Sequence, residues 1–152
     1  MFRMRILPIL VAAGLLAAPA IAQQSPDGWY RITGDDEMVI YVYGVQDRTD
    51  AGNRLAIVSN HATEPFDTDG HAFSVNIATA FDCEARTFQR LMFRTYALDG
   101  SELGEMPSAN TAMRPIAPDS IHALIADFVC DGTGGEFVED MLADAAARLN
   151  RE

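Results

Sequence analysis

The chain has 152 residues, with 22 acids against 11 basic residues and a formal net charge of −11. Every basic residue is arginine. A surface this negative repels nucleic-acid phosphates and anionic lipid, which argues against both as partners, and the length suits one domain with a real core.

Arg3 and Arg5 precede an almost wholly apolar stretch from Ile6 to Ala18, and Ala20-Ile21-Ala22 follows. A positive start, an apolar middle and small residues at the end make a signal peptide over residues 1–22, cut after Ala22. The apolar stretch is about a dozen residues, whereas roughly 20 are needed to span a bilayer. No cysteine lies near the cut to carry a lipid anchor. The expected product is soluble, with no membrane insertion after signal removal, in the periplasm, secreted or at the cell surface. Its charge is more negative still, because the leader takes two arginines and no acid with it.

Cys83 and Cys130 are the two cysteines. In an oxidising compartment an even pair reads first as a disulfide. Such a bond closes a loop of about 48 residues, worth roughly 4 kcal/mol in the chain-entropy model. The rival reading is a nucleophilic or redox thiol. Cys-x-x-Cys is missing, and no histidine is near either cysteine in sequence.

Along the chain, Trp29 to Thr33 predicts a short strand, and Gly34-Asp35-Asp36 a turn. Met38 to Tyr43 is β-branched and aromatic, the composition of a strand. Asp47 to Asn53 reads as a polar loop. Arg54 to Asn60 predicts the next strand, and His61 to Gly70 a loop. From Phe73 to Phe81, the residues Phe73, Val75, Ile77, Thr79 and Phe81 share one parity, the signature of a half-buried strand. Cys83 keeps that parity. Asp82 to Arg86 is short enough for a hairpin into Thr87 to Leu98. In that strand Leu91, Phe93, Thr95 and Ala97 form the predicted apolar face, with Arg90, Arg94 and Tyr96 opposite. Residues 99–113 are turn-rich.

Pro115 and Pro118 hold an extended approach to a helix N-capped by Asp119 or Ser120. Ile121, Leu124, Ile125 and Phe128 give it one apolar stripe, and Cys130 ends it. After the glycine break at 132–135, Glu136 to Leu149 predicts a second helix with Val138, Met141, Leu142, Ala145 and Leu149 as its stripe. Strands followed by helices imply an α+β fold, mainly antiparallel, with about five or six strands packed against a helix and an additional C-terminal helix.

Trp29, the tyrosine-rich strand, Phe81-Asp82-Cys83-Glu84-Ala85-Arg86, the aromatic strand with Tyr96 and Gly100, Arg114-Pro115-Ile116-Ala117-Pro118-Asp119-Ser120 and Val129-Cys130 occur in this order. Together they resemble the surface-adhesin protein E-like family of small exported bacterial proteins over roughly residues 28–131. The resemblance implies an antiparallel sheet packed on a helix, with the two cysteines bonded. It also implies an adhesin-like role, since the founding member binds host extracellular-matrix and plasma proteins. The resulting division is a signal peptide (1–22), a protein E-like domain (23–131), and a glycine linker with an amphipathic helix (132–152). No ligand-binding residue carries over from the family.

Three features carry candidate chemistry. Arg86, Arg90 and Arg94 are spaced by four, which on a strand sets them on one face as an anion or partner contact; the alternative is pairing with neighbouring acids. Asp67, Asp69 and His71 share a loop, but the spacing does not fit a calcium loop, and a solvated acidic loop is the favoured reading. His122 is expected at the helix boundary rather than acting as a base. Tyr41 and Tyr43 are expected as strand surface or core. Gly-x-Ser-x-Gly, His-Glu-x-x-His and a phosphate-cradling glycine loop do not occur. The expectation is a non-enzymatic protein without cofactor or metal, whose partner is another protein. A structural or stress-related periplasmic factor is the alternative. The C-terminal stripe must be buried somewhere, on its own sheet, on a partner or, in self-association, on a second copy of the protein.

Overall fold

A computed structural model of the chain describes residues 27–44, 47–49 and 51–151. The signal-peptide expectation lies outside the described residues. In chain order the elements are β1 (Trp29–Gly34), β2 (Met38–Tyr43), β3 (Asp47–Arg48), β4 (Arg54–Ala62), β5 (Ser74–Asp82), β6 (Thr87–Tyr96), β7 (Glu102–Pro107), β8 (Arg114–Pro115), α1 (Ile121–Ala126), a π-helical turn (Asp127–Asp131), β9 (Glu136–Val138) and α2 (Met141–Arg148).

The strands form one sheet in the order β7-β6-β5-β4-β2-β1-β9, with β3 added to β4 and β8 to β6. All pairings are antiparallel. The α+β class is as expected, but the sheet has nine strands rather than five or six. The surplus has physical reasons. Strand β7 is exposed on both sides, so it carries no alternating pattern. Strands β3 and β8 are two residues long. Strand β9 hides inside the second predicted helix, where Val138 falls on the helical stripe but pairs with Trp29 instead. That helix therefore starts at Met141, not Glu136. Asp140 caps it by accepting a hydrogen bond from Ala143 N at 3.0 Å.

Local chemistry sets the turns. Asp35 Oδ1 accepts from the backbone N–H groups of Glu37 and Met38, closing the β1–β2 hairpin. Asp82 Oδ1 does the same for Glu84 and Ala85 between β5 and β6.

The sheet carries a helical segment on each face. On the first face Tyr30, Ile40, Val42, Val58, Ile77 and Phe81 meet Ile125, Phe128 and Val129. A fully buried side chain of this size contributes about 1.5–3 kcal/mol. Ser120 caps α1, as expected, by accepting from Ala123 N at 3.2 Å. The stripe predicted for this helix is only half used: Ile121 and Leu124 stay 46% and 48% exposed. The cause is the π turn, which shifts the register after Ala126 and turns Phe128, Val129 and Cys130 inward together. Gly132 ends the turn in the left-handed conformation. Gly135, at φ +77°, lies against the Phe128 ring, where an added Cβ would come within 2.9 Å of Cδ2.

Cys83 and Cys130 form a disulfide that ties the β5–β6 hairpin to the π turn. Arg86 reinforces the tie through Asp127 Oδ1 at 2.7 Å. Both partners are about 40% exposed, so that ion pair contributes at most about 1 kcal/mol.

On the second face α2 covers β2: Ala145 and Leu149 pack with Val39, Tyr41 and Val138. The C-terminal stripe is thus buried on the chain's own sheet, while Leu142 remains 57% exposed. A polar clamp fixes the docking. Asp144 accepts from Arg31 Nη1 at 2.7 Å and from Tyr41 Oη at 2.7 Å, and Glu136 pairs with the same guanidinium. Burial alone would raise the Asp144 carboxyl, but the Tyr41 and Arg31 hydrogen bonds and the Arg31 and Arg148 charges outweigh it and hold it below the ordinary range. Tyr41 is pushed up by burial and by the Asp144 charge. Among the described residues no helix is long and apolar enough to cross a membrane.

Candidate functional site

The three arginines proposed as a row do not share a face. In β6 the register slips between Ala78 and Thr79 of β5: Ala78 pairs with Met92 and Thr79 with Arg90, leaving Leu91 as an extra residue. Arg90 therefore lies on the first face, opposite Thr79, while Arg94 lies on the second, opposite Asn76. Arg86 is in the hairpin turn at φ 53°. The predicted apolar face of this strand is corrected by the same bulge, because Phe93 and Leu91 point to opposite sides. A cue was present: in Arg90-Leu91-Met92-Phe93 three successive apolar residues cannot all obey one parity.

Their partners also differ. Arg86 pairs with Asp127 and, more distantly, Asp131. Arg94 donates from Nε to Glu105 at 2.9 Å and lies near Glu102. Arg90 has no carboxylate partner among the described residues and instead meets His122 Nε2 at 3.1 Å. His122 stacks on Phe88, with centroids 4.2 Å apart. Burial first, then the charges of Arg90 and Arg114, lower its pKa and favour the neutral ring. That ring can accept the arginine's N–H.

The acidic loop is occupied by its own backbone. Asp67 Oδ1 accepts from His71 N at 2.9 Å and Ala72 N at 2.8 Å, and these bonds hold its carboxyl low. No cluster suited to a metal ion occurs among the described residues. Tyr41 is fully buried, whereas Tyr43 is half-buried and packs edge-on to Trp29 at 5.2 Å.

The arrangement leaves an open apolar surface that the sequence reading missed. Among the described residues, α2 and the residues after it cover β2, the β1–β9 edge and the Ser59–His61 end of β4, but not the Leu55–Ile57 end of β4 or the parts of β5 and β6 beside it. There Tyr43, Leu55, Ile57, Ala78 and Leu91 line a shallow depression of about 390 Å³. Ile57 is 39% exposed, and the others are half-buried. Leu55 to Val58 is apolar at both parities, so this end of the strand is apolar on both faces, and among the described residues only the first face has a helical segment over it there.

An antiparallel sheet stapled by a disulfide to a short helical segment, with an apolar patch open on one face among the described residues, defines a small domain whose surfaces are its most available feature. The chain belongs to the surface-adhesin protein E family, whose model matches residues 29–131. The match ends just after Cys130, so β9 and α2 lie beyond it. No curated protein and no solved structure matches the chain.

Proposed function

We propose that the chain is an exported, non-enzymatic envelope protein that works by binding another protein, in the manner of an adhesin. The carrying observation is the open patch on the second face of the sheet, where Tyr43, Leu55, Ile57, Ala78 and Leu91 stand half out of water. Uncovered apolar side chains rimmed by polar residues mark protein-contact sites. The partner this suits is a flat protein surface with apolar residues at its centre. Family membership supports the same reading, and the signal-peptide pattern of residues 1–22 together with the disulfide supports export.

Surface plasmon resonance of the purified exported chain over immobilised extracellular-matrix and plasma proteins tests this reading. Saturable binding to at least one of them is expected, weakened tenfold or more by Ile57→Glu. Because Ile57 is exposed, its replacement should leave the melting temperature nearly unchanged. An Asp69→Ala control should bind as the parent does. Equal binding by parent and Ile57→Glu would remove this face from the account.

A further inference from the structure

On the opposite face, between α1 and the sheet, lies a cleft of about 310 Å³. Its walls are apolar, from Met38, Ile40, Ile77, Phe81, Ile121 and Ile125. Its polar groups are few and converge: Arg90, His122, Thr79 and Asn60. Arg90 also lines an adjoining depression that contains Arg114. Among the described residues neither is lined by an aspartate or glutamate, although the chain carries 22 acids. Asn60 Oδ1 is buried without a hydrogen-bond partner. A buried acceptor left unpaired costs roughly 1–3 kcal/mol, and here a water donor would satisfy it, since a carboxylate ligand offers none.

We propose that this cleft binds a small amphipathic carboxylate, with its head on Arg90 beside His122 and its apolar body along Ile77, Ile121 and Ile125. Charge complementarity selects the occupant. Arg90 has no carboxylate of its own among the described residues, its guanidinium lies 5.9 Å from the Phe88 ring centroid, and Arg114 adds a second positive charge nearby. The cleft also has a polarity. At its other end Met38, Ile40 and Ile121 lead into a depression rimmed by Asp35, Glu37 and Glu64. A carboxylate is repelled there and drawn to the Arg90 end, so the ligand lies in one direction. A neutral molecule gains only the apolar contacts, and a cation is turned away from the arginines.

Octanoate is a suitable probe. Isothermal titration calorimetry of the purified exported chain should give one saturable site for octanoate, and at least tenfold weaker binding for 1-octanol. Arg90→Gln should weaken octanoate tenfold or more while leaving octanol unchanged. Arg114→Gln should weaken it less. In case Arg90→Gln disturbs the fold, amide and methyl chemical shifts of the parent chain give a second readout, with octanoate-induced shifts gathered at Ile77, Ile121, His122 and Ile125. Absence of saturable binding at millimolar octanoate, equal affinity for octanol, or shifts gathered instead around Leu55, Ile57 and Leu91 would each overturn the proposal.

Discussion

Replacing Cys83 and Cys130 together with alanine lowers the stability of the folded chain by roughly 4 kcal/mol. The bond spans a sequence separation of 47 residues, so its loss returns a large loop to the unfolded ensemble. In the folded state it joins the β5–β6 hairpin to the π turn at the point where Phe128 and Val129 enter the core. Without it, Arg86 and its exposed acids are the main remaining polar tie between hairpin and turn. For a domain of this size the melting temperature should fall by roughly 12–20 °C. Urea unfolding of the double variant beside the parent checks this: the midpoint should drop sharply. An unchanged midpoint would mean that the helical segment holds to the sheet without the bond.

The second large effect is with pH, and it comes from His61. This residue is 3% exposed, meets Ser59 Oγ at 2.9 Å and packs edge-on to Tyr41 at 5.6 Å. Burial first, and then the Arg151 charge, push its pKa down to about 4. An unfolded histidine titrates near 6.5, so between these values the unfolded chain binds the extra proton. The stabilisation is complete above pH ~6.5 and is lost as the pH falls through about 4, a total of about 3 kcal/mol. His122 is lowered in the same direction and adds to the slope. Asp144 is also depressed, but its contribution is present above the ordinary carboxylate range and disappears only at lower pH. Unfolding free energies at pH 7 and pH 4.5 should therefore differ markedly in the parent. The difference should shrink in His61→Gln. An equally steep dependence in that variant would move the effect to other groups.

How far the sequence leads can be judged from particular residues. Val75, Ile77, Thr79 and Phe81 place β5 because the sheet buries their face, so alternation and burial coincide. Ser120, Asp35 and Asp82 mark their own turns and cap through short, local hydrogen bonds. Long-range facts are less legible. The bulge at Leu91 depends on how β6 meets β5, and one residue of slip moves Arg90 to the other face from Arg94. Glu136 to Val138 satisfies a helical stripe on paper, yet the unpaired edge of β1 captures it as a strand. Arg90 lines the cleft, and its neighbours there and in the adjoining depression, His122 and Arg114, come from segments more than twenty residues away. The open apolar face was hidden because Leu55 and Ile57 look like ordinary core residues until the coverage of α2 is known.

The central claim is that the open patch around Leu55, Ile57 and Leu91 meets a partner protein. A photo-crosslinking amino acid placed at Ile57 of the exported chain, and for comparison at Asp69, tests it inside the producing cell and in contact with host proteins. The account predicts a discrete adduct to a different protein from position 57 and none from position 69. No adduct at 57, or the same diffuse adducts at both positions, would contradict it.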